Sequence, residues 1–129
     1  MRPAQRSLCI AMVCADEEAA QIGNELSQFD SGCLVTYRRV EDLVLNAPAG
    51  KVALVVLAGQ DDPAAMRRTL HWLRRRWPDC PLAVVGEGQQ ELDARKGGAL
   101  FLAQLQAGRE LPELVRHVMA RHEPASLKS

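Results

Sequence analysis

Cys14, Asp16 and the pair Asp61-Asp62 are the residues whose types and spacing could do chemistry, because each follows an apolar run and precedes a helix-like segment. A thiol at such a junction can be activated by helix N-terminal amides, and carboxylates at two neighbouring strand ends can hold a hard cation. The acids that follow Cys14, namely Asp16, Glu17 and Glu18, would repel both a thiolate and a phosphate, and no Ser/Thr/Gly-rich cradle comes after them. The structural reading of Cys14 is therefore a buried, inert thiol. For Asp16 and Asp62 it is a helix cap, since aspartate is among the best capping residues. One or two carboxylates also make a poor Mg²⁺ site, and no metal or cofactor is expected. The turn Gly86-Glu87-Gly88 could cradle phosphate before a helix, but a lone G-x-G is weak and Glu87 has the wrong sign. His71, His117 and His122 are too scattered for a metal site or a catalytic triad.

The elements that must position these residues are legible from periodicity. Leu8–Val13, Leu34–Tyr37, Val52–Leu57, Leu82–Val85 and Leu100–Leu102 are short, continuous apolar runs of the kind found in strands buried on both faces. Between them lie amphipathic stretches. The first opens at Asp16 and repeats Ala19, Ile22, Leu26 and Phe29; a short one covers Val40–Leu45 before the Asn46–Gly50 turn. The third has Asp62 as cap and Pro63 at the first helical position, then Met66, Leu70, Leu73 and Trp77 at core spacing before Pro78. Gln89–Lys96 is short and polar and ends at Gly97-Gly98; a fifth helix enters through Pro112 and carries Leu114, Val115, Val118 and Met119. Strands alternating with helices predict a doubly wound parallel sheet of flavodoxin-like α/β type, order 2-1-3-4-5, with helices on both faces. Any site then belongs at the carboxyl ends of the first and third strands.

A chain of 129 residues with 16 basic and 16 acidic side chains has no global field directed at nucleic acid or acidic lipid. Its length suits one domain that buries roughly two-thirds of its unfolded surface without a metal or disulfide staple. The four cysteines, at 9, 14, 33 and 80, never reach C-x-x-C spacing. That argues for a reducing, cytoplasmic setting. The longest apolar stretch, Leu8 to Ala15, is far short of a bilayer span and lacks a signal-peptide cleavage context, so no membrane partner is expected. Charge is densest on the third helix, in Arg67, Arg68, His71, Arg74, Arg75 and Arg76. These spread around much of the helix circumference with no aromatic platform interleaved, which reads as a solvated or partner-facing surface and predicts no specific nucleic-acid binding. Trp77 continues the core stripe, whereas Trp72 falls off it and is a candidate interface residue.

Three details carry a resemblance. Between Ala58 and Pro81 lie 22 residues; Pro81-Leu-Ala-Val-Val reads like a Pro-Val-Ile-Val-Leu strand; and Gly98-Ala99 followed by Phe101-Leu102 reads like Gly-Ala-x-x-Tyr-Leu. From Leu8 to His122 the chain thus resembles the receiver domain of two-component response regulators. The resemblance implies a site in which carboxylates hold Mg²⁺, an aspartate accepts phosphate, a hydroxyl holds the phosphoryl group and a lysine neutralises it. The matching positions here are Cys14 and Ala15, with Asp16 one place late; Ala58; Gly86; and Gln104. Asp16 aside, none carries the charge that the chemistry requires, and neither alanine nor glycine offers a side-chain donor or acceptor. The chain reads as a pseudo-receiver over residues 1–122, and residues 123–129 read as a polar tail or linker to an output domain.

The function expected is a phosphorylation-independent regulatory and protein-interaction domain of a bacterial signalling or transcriptional regulator, not an enzyme, with a protein partner or its own output domain and a possible homodimer. By resemblance its interface uses Phe101, Arg109, Arg116 and Met119, together with Trp72. One alternative is a phosphoryl carrier: Cys14 resembles in position the phosphocysteine of phosphotransferase-system B components. Another is a small-ligand sensor at the vacant edge defined by Cys14, Ala58 and Gly86.

Overall fold

In the computed structural model, residues 8–26, 33–60 and 62–122 are described. The chain runs β1 (Leu8–Cys14), α1 (Glu17–Leu26), β2 (Cys33–Tyr37), α2 (Val40–Leu45), β3 (Lys51–Ala58), α3 (Pro63–Arg76), β4 (Leu82–Gly86), a 3-10 turn (Gly88–Gln90), α4 (Glu91–Lys96), β5 (Leu100–Ala103) and α5 (Gln104–His122). The five strands are parallel and ordered β2-β1-β3-β4-β5, the predicted topology. β1, β3 and β4 are the innermost strands and almost wholly buried. Covering helices on both faces leave no polar side to a strand, which explains why these segments carry continuous rather than alternating apolar residues.

Two packed layers follow from the alternation of side chains across the sheet. One face gathers Ile10, Met12, Leu54 and Val56 under α1 and α5, whose Ala19, Ala107, Leu111, Val115 and Val118 close it. The other gathers Ala11, Val13, Val55, Leu57 and Val84 under α2, α3 and α4, through Leu43, Met66, Leu70, Leu73 and Ala94. Trp77 caps the C-terminus of α3 and packs against this second layer, half-buried. Phe29, assigned by its spacing to the first helix, lies outside the described residues, as do Asp61 and the 123–129 tail.

Two helices differ from expectation. The segment Gln89–Lys96 divides into a 3-10 turn and a six-residue α4. The fifth helix starts at Gln104, eight residues before Pro112, and runs on through that proline. A proline removes one helical N–H and disfavours helical geometry at the preceding residue. Here Ala107 and Leu111 continue the stripe of Val115 and Val118 into the core, and burial of that stripe outweighs the local signal.

Candidate functional site

β1, β3 and β4 end together. Cys14 stands opposite Ala58 in register, Ala58 opposite Val85, and Gly86 opposite Ala103. The backbone closes the edge further: the Ala15 N–H donates to the Ala58 carbonyl at 3.0 Å. After Ala58 the chain turns at Gly59, whose φ of 82° favours glycine. A Cβ there would also stand 3.1 Å from the Asp16 carboxyl. Asp16 itself caps α1, accepting the Ala19 N–H on Oδ1 at 2.8 Å, and Asp62 caps α3 through the Ala64 N–H at 3.1 Å. Both aspartates serve their helices, and no group of three metal-ligating side chains occurs among the described residues.

Cys14 and Ala58 are only 2% and 1% exposed. Burial pushes the Cys14 thiol up to about 11, with Asp16 acting in the same direction and Arg38 against it. At neutral pH the sulfur is a thiol, not the thiolate that would attack phosphorus. It borders a small cavity of about 100 Å³ on the β2 side, with Asn24, Thr36 and Arg38.

The centre of the edge is held by Gln90, a residue that sequence reasoning passed over. Its side chain is the buried polar one among the described residues, 8% exposed. Oε1 accepts the Glu87 N–H at 2.9 Å, and Nε2 donates to the Gln60 carbonyl. One carboxamide thereby ties the loop after β3 to the loop after β4. It does so in the space above Gly86: a Cβ on Gly86 would collide with Oε1 of Gln90. The signal was present in the sequence as a capping box, Glu87-x-x-Gln90 at a helix start. Its meaning depends on Gly86 lying beneath it.

Gln104 is not brought to this centre. It begins α5, and its Nε2 donates to Glu18 Oε1 at 2.7 Å, joining α5 to α1. The open hollow at the edge, about 590 Å³, lies between these helices and the β4 loop, lined by Glu18, Ile22, Gly86, Glu87, Gln104 and Leu105 among others. Cys14 and Ala58 do not line this hollow, which opens toward β5.

Among the residues expected at an interface, Arg109 and Arg116 are exposed on α5, while Phe101 is half-buried against the α3/α4 layer. Met119 packs against the α1/α5 layer, where it contributes to the core. The exposed apolar side chains nearby are instead Leu92, Leu100 and Leu105, the last 99% exposed. Trp72 is exposed on α3 and meets Trp77 edge-to-face with centroids 6.3 Å apart. His71 and His117 lie apart on exposed surfaces of α3 and α5.

The arginines of α3 are more ordered than their sequence positions suggested. Ala64, Arg67, Arg68, His71, Trp72, Arg75 and Arg76 line one shallow, open groove on the outer side of α3, with Trp72 between the two arginine pairs. Arg74 alone is turned aside, against Gly98 in the turn between α4 and β5. An aromatic is thus interleaved with the basic residues after all.

No protein-family model matches the chain, and no curated protein matches it. Solved structures do. A response regulator receiver protein from Pseudoalteromonas atlantica superposes with a TM-score of 0.74 at 16% identity, over 89% of this chain and 99% of that one. The fold is that of a receiver domain. A CheY-like protein, TadZ, from Pseudomonas aeruginosa PAO1 gives 0.67 at 19% identity, over 88% and 99%. The Thermotoga maritima response regulator DrrB, an OmpR/PhoB homologue, gives 0.70 at 17% identity, over 91% of this chain and 54% of that longer one. Among the described residues no helix is long and apolar enough to cross a membrane.

Proposed function

We propose that this chain is a pseudo-receiver: a regulatory, protein-interacting signalling domain whose state does not depend on phosphorylation. One observation carries the reading. The Gln90 carboxamide fills the space over Gly86 and ties Gln60 to Glu87, beside an alanine at position 58 that has no group able to accept a phosphoryl. By resemblance, a hydroxyl at the Gly86 position would move toward a phosphate and the aromatic on β5 would follow. Here that lever is absent and a hydrogen-bonded strap stands in its place. The domain acts through surfaces presented in one arrangement, in the cytoplasm, toward a protein partner or its own output domain in a transcriptional or other signalling regulator. The carbon-rich exposed set Leu92, Leu100 and Leu105, with Arg109 and Arg116, supports contact through α4, β5 and α5, including a possible homodimer.

Incubation with acetyl phosphate and Mg²⁺ tests this directly, and the intact mass is expected to remain unchanged. A stoichiometric adduct that survived Cys14→Ser would sink the reading; one that vanished in that variant and needed a sugar-phosphotransferase donor would establish the carrier instead. Beryllofluoride should leave the shifts of Gly86, Phe101 and Gln104 and the molecular mass in solution as they are. The hollow beside Glu18 and Glu87 favours, as a second reading, a small cationic or amphiphilic ligand. Ligand-induced shifts confined to Ile22, Glu87 and Leu105 would establish it.

A further inference from the structure

We propose that the outer face of α3 docks an acidic amphipathic helix of a partner protein. The inference rests on the interaction half of the reading above and names the surface and the partner's chemistry. Met66, Leu70 and Leu73 are buried on the inner side of α3. The outer side carries Ala64, Arg67, Arg68, His71, Trp72, Arg75 and Arg76, which recur at the three- and four-residue spacing of a single helical stripe. Such a stripe forms ridges and a straight groove that accept the ridges of a second helix. Its polar ends are matched in spacing. The pairs Arg67-Arg68 and Arg75-Arg76 stand two turns apart, about 12 Å along the axis, so acids seven or eight residues apart on a partner helix would meet both. Trp72, between them, supplies a large apolar surface at the centre, and Trp and Arg are the residue types that most often carry binding energy at protein interfaces.

Charge also selects the occupant. Among the described residues Arg68 and Arg75 have no ion-pair partner, and Arg67 reaches Asp93 of α4 only at 3.8 Å, with both side chains partly exposed. Arg76 lies over the Trp77 ring at 4.6 Å, which holds its guanidinium near the end of the stripe. On the α4 side the face is bordered by Asp93, which reaches Arg67. A broad polyanion such as a nucleic-acid backbone would meet that carboxylate, and a chain whose 16 basic residues are balanced by 16 acidic ones offers it no net attraction beyond the stripe. A helix confined to the stripe meets the arginines and Trp72.

The test uses the whole chain and a synthetic amphipathic peptide of about 16 residues, with glutamates spaced seven and eight apart and leucine between them. A shuffled peptide of the same composition and an oligothymidylate serve as competitors, all at physiological salt. Chemical-shift changes are expected along Ala64–Arg76 and at the Trp72 indole N–H, with the periodic peptide binding at least about tenfold more tightly than the shuffled one. Arg68→Glu with Arg75→Glu should weaken it by about tenfold or more, while a peptide with lysines in place of its glutamates binds the doubly reversed variant more tightly than it binds the parent. Circular dichroism of that variant verifies its fold. Equal binding of both peptides would overturn the proposal, as would tighter binding of the oligothymidylate, which would make the stripe a nucleic-acid surface. Self-association abolished by the double reversal, with the peptide silent, would assign the face to a second copy of this chain. Acetyl phosphate run in parallel separates the two readings, because an adduct bears on phosphorylation independence and leaves the docking result standing.

Discussion

Placing a methyl group on Gly86 tests the strap at its tightest point. Gly86 does not have a positive φ, so alanine suits its backbone, and in an unconstrained strand the change would stabilise by about 0.5 kcal/mol through the unfolded chain. The new Cβ, however, takes the position of Gln90 Oε1 and must expel the carboxamide. Two hydrogen bonds go with it, to the Glu87 N–H and the Gln60 carbonyl, each worth about 1 kcal/mol. Gly86→Ala should therefore cost about 1.5 kcal/mol, and Gln90→Ala, which loses the same bonds without the offset, about 2 kcal/mol. In the double variant the alanine at 86 finds the space already empty, so the pair should cost about 1.5 kcal/mol together, leaving a coupling of about 2 kcal/mol between the sites. Urea unfolding of the four proteins, followed by tryptophan fluorescence and far-UV circular dichroism with a common slope, measures this. Costs that add to within about 0.5 kcal/mol would refute the claim that Gln90 occupies the side-chain space of Gly86.

The raised Cys14 thiol makes stability depend on alkali. Its folded value of about 11 lies above the 9.0 of an exposed thiol, so the contribution is complete below pH 9 and is lost as pH rises through 11. Between pH 8 and pH 10.5 the parent should lose about 2 kcal/mol more than Cys14→Ala, read as the difference between the two urea midpoints; equal losses would place the thiol in contact with water. In α5, Leu111→Ala should cost about 3 kcal/mol because the side chain is fully buried, while Leu105→Ala, at the same helix's exposed start, should stay within about 0.5 kcal/mol of the parent. If Pro112 began the helix, Leu111 would be the less sensitive of the two. Asp16→Ala should destabilise by about 1 kcal/mol through loss of the Ala19 cap, and millimolar Mg²⁺ should not shift the melting temperature of either protein. A Mg²⁺-dependent rise in the parent alone would mean that Asp16 ligates a cation.

Local physics wrote the strands, the caps and the topology plainly into the sequence. Continuous runs such as Val52–Leu57 admit little but a central parallel strand, and Asp62-Pro63 admits little but a helix start, because each depends on neighbours a few residues away. That Ala58 has no side-chain group able to accept a phosphoryl is equally a matter of residue type. Tertiary structure decided the rest. Pro112 sits inside a helix because Ala107 and Leu111 are buried against a sheet assembled from distant segments, and no local preference reports that burial. Gln90 is a strap because Gly86 leaves room beneath it and the Gln60 carbonyl, thirty residues earlier, comes within reach of its amide. The arginines of α3 form one groove with Trp72 because the core takes Met66, Leu70 and Leu73, fixing which way the helix turns. Spacing along a chain determines which residues share a face; only packing determines which face meets solvent, and what stands opposite it.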